Sequence, residues 1–568
     1  DSIYGNVAML VASLPFHPLD SEGEHKPAKI KLAEWMVGKI ARELGINATG
    51  GSSSVADLWE PLRMAAATAR ASLVQAAATA WKVPASEITV RDGVMQHASG
   101  QKAHYGQMGA AAAGSTPANI TPKARADWKL IGQSAARNDI PAKVTGQAQF
   151  GMDVRLPGLL FAAVRMNPVL GGQAAPMDTQ AALAMPGVSL VVPVDAWGGG
   201  TGGLAVVAKN TWQARQGAQA VKVQWPAAAP GTAGAADTTR IQANLLNALN
   251  TESGFTFHEQ GLPLKAEQTA ASRIDALYQA PYLAHATMEP MNCTAQVKDG
   301  KVEVWVPTQV PQMARAMAAK VAGVKEDQVT VHVTLLGGGF GRRLEADYVA
   351  QAAAIAKVAG GAPVQTLWSR EQDTQHDFYR PACMARFKAG FDAQGQLVAW
   401  HNLSVGQAIV PQVLVRTFGL AGAGPDKTTS EGAFDQPYEW PHARIAHEIV
   451  DLPLPVGFWR SVGHSHQAFF KESFVDEAAA AAKQDPVAFR AALLQKHPRH
   501  LKVLQKAAEL ADWGKPLAPG AAGEKRARGV ALHQSFGSIV AQVAEVSVGA
   551  DKAIRVHRVV CVVDCGAA

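Results

Sequence analysis

The strongest constraint on this chain is a dense glycine run, Gly337-Gly338-Gly339-Phe340-Gly341, followed at once by Arg342-Arg343. It lies between an apolar, strand-like stretch ending at Leu336 and a helix-like stretch beginning near Glu345. Without Cβ atoms the backbone can bend tightly and bring its N–H groups close to a ligand, and consecutive N–H groups in such a turn form a concave anion acceptor. The run lacks the Gly-Lys-Ser/Thr of a Walker loop and the Gly-x-Gly-x-x-Gly spacing of a dinucleotide fingerprint. A nucleotide-binding oxidoreductase is further disfavoured because no acidic residue follows a proper fingerprint about twenty positions on. A glycine-rich strand-to-helix turn can also be purely structural; the aromatic inside this dense run is what points to a site.

Around the loop, strands and helices alternate. Val302, Val304 and Val306 alternate with Lys301, Glu303 and Trp305, and Val329, Val331 and Val333 repeat that period of two, as half-buried strands do. Helices are expected from about Pro311 to Ala322 and from Glu345 to Val358, the second ending at Gly360-Gly361, with a strand from Val364 to Trp368. Residues 474–512 read as mostly helical and the last stretch as strands. Before about Ala113 the order is loop, helix, Gly/Ser-rich turn and a long helix from Trp59 to about Lys82 with Pro61 in its first turn. A hairpin follows, in which Ile88-Thr89-Val90 runs into an Asp92-Gly93 turn. Gly109 to Pro122 reads as a linker and Trp128 to about Trp225 as a small mixed α/β module, with strands at Leu159 to Val164 and Leu204 to Ala208. Ala227 to Ala236 reads as a second separator.

A chain of 568 residues has room for three or four modules. Its 48% hydrophobic and 18% charged content excludes a disordered composition. The net charge of +6 comes from 53 basic and 47 acidic residues without a long basic run, which argues against nucleic acid as a partner. Cys293, Cys383, Cys561 and Cys565 suit neither a disulfide framework nor a four-cysteine metal cage, so any iron–sulfur cluster is expected on another chain. No window reaches the ~18 apolar residues of a membrane span; even the Ala-rich Met64 to Trp81 is interrupted by Arg70. With Asp1 in place of an initiator Met and an apolar run just before Ala568, both ends are expected to be internal.

With Thr308-Gln309 upstream and Phe458-Trp459-Arg460-Ser461-Val462-Gly463 downstream, the glycine loop resembles the molybdenum-cofactor domain of the xanthine oxidase family. The run from Gly337 through Tyr348 to Trp368-Ser369-Arg370-Glu371 and His376-Asp377-Phe378-Tyr379-Arg380-Pro381 looks like its isoquinoline 1-oxidoreductase and membrane-bound aldehyde dehydrogenase branch. Ile131-Gly132, Asp139 to Gly146 and Gly151-Met152-Asp153 resemble the family's hammerhead module. Thr49 to Val55 looks like the cofactor-contacting loop that precedes the hammerhead in this branch, a permuted order. The resemblance covers about Tyr4 to Gly566. It implies an α/β (mixed α+β), multi-domain cofactor-binding subunit: 1–113 the first part of the cofactor domain, 127–226 the hammerhead, 255–480 the cofactor-binding domain and 481–568 the start of a second cofactor domain.

The same resemblance implies molybdopterin cytosine dinucleotide, its molybdenum carrying oxo and sulfido ligands and taking none directly from the protein. It also implies a small two-cluster iron–sulfur subunit with 2Fe-2S clusters, a haem-bearing cytochrome c, and a place on the periplasmic side of a bacterial inner membrane. The reaction would be hydroxylation of an aldehyde or an N-heteroaromatic with water as oxygen source.

On this view Gln309 offers an amide to a molybdenum oxo ligand, or is a plain polar residue after a strand. Phe340 supplies a backbone N–H and a ring near the metal, or packs in the core. Arg460 compensates cofactor charge or polarises substrate, or holds its loop through an ion pair. Gly50 and Gly51 allow close backbone approach, while Ser52, Ser53 and Ser54 offer hydroxyls and amides or cap the following helix, roles that can coexist. Gly338, Gly339, Gly341, Trp459 and Ser461 complete the cofactor contacts. Leu344 and Val462 stand where purine-oxidising members carry a glutamate and an aromatic, which favours a less polar substrate; Phe536, in His533 to Ser538, is a further candidate lining residue. The family's Gly-x-Gly-Glu-Pro motif, which carries its general base, and its Glu-Met-Gly-Gln-Gly loop do not occur in residues 1–568, so these residues alone are expected to be catalytically incomplete. A non-catalytic cofactor carrier that kept the fold is the rival reading. The lean toward aldehydes rests on Tyr4-Gly5-Asn6 through Pro15-Phe16-His17-Pro18 and the long insertion before Thr49.

Overall fold

The computed structural model describes residues 47–113, 117–228, 232–233, 236–422, 424–520 and 523–566, with isolated helical positions at 28, 32, 35, 36 and 39. Tyr4 to Pro18, and with it the basis of the aldehyde lean, lies outside the described residues.

The first long helix spans Ser53–Trp81, so Pro61 falls in its interior and not in the first turn as expected. The Ala-rich sequence around it sustains the helix despite the lost N–H. Ala77 and Ala78 pack on Ile88, just before β1 (Thr89–Arg91), and on Met95 and Ala103 of the small sheet that β1 forms with β2 (Val94–Gln96) and β3 (Lys102–His104). Its expected turn is present: Asp92 and Gly93 both have positive φ, the pattern of a tight hairpin turn. The expected linker is shorter than its composition suggests, because the helix Tyr105–Ala112 occupies its first part.

The hammerhead-like stretch contributes β4 (Leu160–Met166), β5 (Met177–Asp178), β6 (Val188–Val194), β7 (Gly203–Ala208) and β8 (Lys222–Val223), with β5 and β8 forming a short ribbon. Next come β9 (Phe255–Gln260), β10 (Ser272–Ala280), β11 (Asn292–Lys298), β12 (Lys301–Val306), β13 (Val329–Val333) and β14 (Val364–Leu367). One seven-stranded sheet runs β13-β12-β11-β14-β4-β7-β6, so residues of 127–226 and 255–480 share a single sheet through the parallel pair β14–β4. Helix Pro311–Ala322 is the crossover between the parallel neighbours β12 and β13. The Ala-rich helix Asp347–Lys357 is buried along nearly its whole length, small side chains letting it seat closely on the sheet. Its Gln351 donates to the Thr201 carbonyl at 3.1 Å and accepts from Trp368 Nε1 at 2.9 Å, bridging the two halves of the sheet.

The second large unit is a five-stranded sheet, β10-β15-β16-β17-β9, with β15 (Cys383–Phe391), β16 (Leu397–Gly406) and β17 (Ala443–Ile449). Between it, the helix His464–Ala481 and a terminal three-stranded sheet of β18 (Lys525–Ser535), β19 (Ser538–Val548) and β20 (Ile554–Asp564) lies an aromatic core. Trp400 stacks on Trp440 at 3.9 Å, and Phe474 meets both Trp400 and Phe387 at 5.2 Å. The helices and strands expected from 474 onward are present. Among the described residues no helix is long and apolar enough to cross a membrane.

Candidate functional site

The glycine loop begins earlier than expected: β13 ends at Val333, a bridge between Phe150 and Leu335 follows, and the loop then closes into a short turn, Arg342–Leu344, ahead of helix Asp347–Lys357. Three of its glycines answer to a close neighbour. A Cβ on Gly337 would lie 2.4 Å from Glu289 Cβ, one on Gly339 2.7 Å from Gln309 Oε1, and one on Gly341 1.6 Å from the Phe458 carbonyl oxygen. Gly338, Phe340 and Gly341 all have positive φ, the left-handed region that favours glycine and that a side-chain-bearing residue such as Phe340 rarely enters.

Beneath the loop is a buried ionic network that sequence reading did not single out. Arg343 donates to the carbonyls of Gly338, Pro307 and Glu289, and Glu289 in turn accepts from the N–H groups of Gly337 and Met152. Arg342 forms a two-pronged pair with Asp347 at 2.8 and 2.7 Å and reaches Asp377 at 3.1 Å. Asp377 also holds His285, whose other ring nitrogen is 2.9 Å from the Phe458 carbonyl. Burial pushes the Asp377 carboxyl up, but His285 and Arg342 outweigh this and hold it below the usual carboxylate range. The adjacent Arg342-Arg343, set directly between an apolar strand and an Ala-rich helix, was the available signal that carboxylates must come from elsewhere.

Gln309 is the joint of the site. Its backbone N–H and C=O pair with Arg343 and Thr49, its Oε1 accepts from Gly341 N–H at 3.2 Å, and its Nε2 donates to the Thr49 carbonyl at 2.7 Å. One amide hydrogen remains to donate elsewhere. The loop before the long helix is thereby fixed beside the glycine loop. Gly51 and Ser52 both have positive φ there, and Ser52, at the N-cap, makes no capping bond with its hydroxyl, which overturns the capping role for that serine. Ser54 is exposed, and Gly50 carries a further hydrogen bond or contact of its own.

Phe458 to Gly463 closes the other side. Arg460 N–H donates to the Phe340 carbonyl at 2.6 Å, and its guanidinium lies 5.4 Å over the Phe340 ring. The expected alternative of an ion pair holding the loop is not found among the described residues: the Arg460 side chain is exposed and stacked. Arg460 and Val462 both have positive φ, unusual for residues with side chains and a mark of a loop held by its surroundings. Trp459 spends its Nε1–H on the Ala284 carbonyl, and Ser461 is half-buried beside it. Phe340 itself is 42% exposed, so its ring is not core packing. Among the described residues, the N–H groups of Gly338, Gly339 and Phe340 make no hydrogen bond. Val462 is buried, Phe536 packs edge-on to His464, and Leu344 is half-buried at the end of the turn after the loop.

The clefts of about 230 and 220 Å³ elsewhere in the molecule do not border this loop. Among the described residues the loop offers a donor-rich rim: three N–H groups without a hydrogen bond, a guanidinium without an ion pair and a spare amide hydrogen. That donor set suits an anionic, oxygen-rich cofactor such as a pterin phosphate bearing an oxometal centre.

The architecture is that of the multi-domain oxidoreductases. It superposes on quinoline 2-oxidoreductase from Pseudomonas putida 86 with a TM-score of 0.54 at 18% identity, covering 71% of this chain and 57% of that one. The aldehyde oxidoreductase from Desulfovibrio gigas gives 0.52 at 20% identity, covering 77% and 53%. Residues 249–492 match the molybdopterin cofactor-binding domain. The chain is 31% identical to the beta subunit of isoquinoline 1-oxidoreductase from Brevundimonas diminuta, over 92% of its own length and 71% of that relative. It is 28% identical to the membrane-bound aldehyde dehydrogenase [pyrroloquinoline-quinone] of Gluconacetobacter polyoxogenes, over 84% and 65%. The chain therefore belongs to the xanthine oxidase family, among its molybdenum-binding subunits.

Proposed function

We propose that this chain is the cofactor-binding subunit of a molybdenum hydroxylase that oxidises aldehydes to carboxylic acids with water as the oxygen source. The observation that carries the reading is the rim itself: free N–H groups at Gly338, Gly339 and Phe340, with Arg460 stacked on the Phe340 ring and Gln309 clamping Thr49 to Gly341. The bound molybdenum centre would supply the two-electron oxidation. The chain's part is to hold it. The three N–H groups and Arg460 would neutralise cofactor oxygens, and the spare Gln309 hydrogen would fix one of them in place. The uncapped helix start after Gly50, Gly51 and Ser52 offers a further anion-accepting end. Leu344 and Val462 present neither a hydrogen-bonding carboxylate nor an aromatic face, which supports a compact, weakly polar substrate over a purine.

The finer assignments belong to the same proposal: the cytosine dinucleotide form of the cofactor, electron transfer through the 2Fe-2S clusters of a small partner subunit to a haem-bearing cytochrome c, and a periplasmic location. That the isoquinoline-oxidising relative is itself one of several subunits supports a multi-subunit enzyme. The name of the aldehyde dehydrogenase carries pyrroloquinoline quinone; the domain matched over 249–492 supports molybdopterin instead. A second reading, N-heteroaromatic hydroxylation, is favoured by the 31% identity to isoquinoline 1-oxidoreductase.

The test is metal analysis of the native complex together with acetaldehyde and isoquinoline turnover using an artificial electron acceptor. About one molybdenum per large subunit with aldehyde oxidation is the expected result. Turnover of isoquinoline alone would replace the first reading by the second, and freshly isolated complex without molybdenum would sink both.

A further inference from the structure

Away from the cofactor rim, on the face of the five-stranded sheet turned toward helix Thr238–Asn250, the strand register collects charge. Lys388, His401 and Arg444 sit side by side on β15, β16 and β17, with Asp275 and Glu259 at the two outer ends of the same row. Most of this face is apolar: Met384, Leu403, Val405 and Ala446 pack under Ile241, Leu245 and Leu249 of the helix. Where the helix ends, a cleft of about 230 Å³ opens between it, the short helix Pro263–Thr269 and the sheet. Arg273, Arg386, Lys388 and Arg444 line it against two carboxylates, Glu252 and Glu267.

Within the cleft lining four permanent cations face two carboxylates, Asp275 and Glu259 standing outside it at the ends of the row. Lys388 is neutralised by Glu252 at 2.9 Å. Arg273 spends its donors on the Glu267 and Gln268 carbonyls, both at 2.6 Å, which caps the short helix without cancelling the guanidinium charge. Arg386 donates to the Asn250 side-chain oxygen at 3.2 Å and stands 3.9 Å from the exposed Asp275. Glu267 is 3.4 Å from His401, whose Nε2 makes no hydrogen bond among the described residues. Arg444, half-buried in the cleft, has no hydrogen bond or ion pair among the described residues. Like charges gathered in a half-buried cleft repel one another unless an anion joins them, and guanidinium forks match the oxygens of a tetrahedral dianion.

We propose that this cleft binds a phosphate group, free or as the headgroup of a small ester, held chiefly by Arg444 and Arg386. The volume is below the roughly 300–1,000 Å³ of pockets that take drug-sized ligands, which limits the occupant to a small phosphorylated molecule or a headgroup. The site is independent of the cofactor reading, because none of its residues touches the glycine loop.

The test is calorimetric titration of the full-length subunit with inorganic phosphate at ionic strength matched by chloride. Saturable one-site binding is expected, weakened at least tenfold in Arg444→Ala, further in Arg386→Ala/Arg444→Ala, and less in Arg444→Lys, which keeps the charge and guards against loss of fold. Arg240→Ala, in the separate cleft beside Asp451, should bind as the parent does. Cosedimentation with phosphatidylcholine vesicles containing phosphatidic acid distinguishes the sources: Arg444-dependent pelleting assigns a lipid headgroup, and phosphate binding without pelleting assigns a soluble ligand. Titration that never saturates, or that is the same in Arg444→Ala and Arg444→Lys as in the parent, overturns the proposal.

Discussion

The ionic network beneath the glycine loop and the aromatic core are both buried, yet they hold their surroundings by opposite means. Around the loop, Arg342, Arg343, Glu289, Asp347 and Asp377 satisfy one another and the backbone; in the core, Phe387, Trp400, Trp440, Phe470 and Phe474 pack as apolar volume. An ionic network tolerates little change, since removing one member strands a charge out of water, whereas an apolar core tolerates exchange at constant volume. The difference fits their tasks. A loop that must present bare N–H groups cannot be held by its own backbone bonds, so its shape is imposed from below.

The largest expected effect is at the loop's tightest point. Gly341→Ala would place a Cβ 1.6 Å from the Phe458 carbonyl at a φ of 107°. The Phe458 to Gly463 loop must then move away, at a cost of about 4 kcal/mol or more. Denaturant unfolding should show that loss, and molybdenum content should fall with it. A parent-like midpoint would mean that the contact between the two loops is slack.

Next is a matched pair that breaks or sharpens the contrast directly. Asp377→Asn keeps shape but leaves Arg342 with Asp347 as its remaining partner in the network and His285 without its carboxylate hydrogen-bond partner, at an expected cost of about 3 kcal/mol. Phe474→Leu in the aromatic core keeps most of the volume and should cost about 1.5 kcal/mol. Equal losses in the two variants would dissolve the distinction.

Much of the fold was legible because one-sided burial writes a period into the chain. The alternation in β12, the crossover helix Pro311–Ala322 and the Asp92-Gly93 turn follow from it. Pro61 misled because a proline usually marks a helix start, and here the Ala-rich flanks carry the helix through it. The pairing of β14 with β4 left no local trace, since it joins segments about two hundred residues apart. At the site, Gln309, Phe340 and Arg460 were named by resemblance, and the structure brings them together around the glycine loop. That Gln309 spends its amide on the two loops, or that Glu289 lies under the glycines, depends on contacts across the fold that no spacing encodes.

Acid should separate the two regions by a smaller effect. In the loop network Asp377 is held ionised by its partners, so it keeps its proton off well below neutrality. On β17 and beside it two histidines are held neutral by burial alone or chiefly so: His447, between Ser404 and Thr429, is pushed down to about 4, and His466, against the Thr429 carbonyl, to about 3. A folded-state pKa below the unfolded value of about 6.5 means that the unfolded chain takes up the proton first. Their stabilisation is therefore complete above pH 6.5 and is lost as the pH falls toward 4, at about 1.4 kcal/mol per pH unit for each group. Hydrogen exchange between pH 7 and 4.5 should show the Lys427 to Ser430 turn and β17 losing protection while the amides of Arg342 to Glu345 keep theirs. His447→Gln should flatten part of that pH dependence. If the glycine-loop amides open first on acidification, the network under the loop is not what holds it.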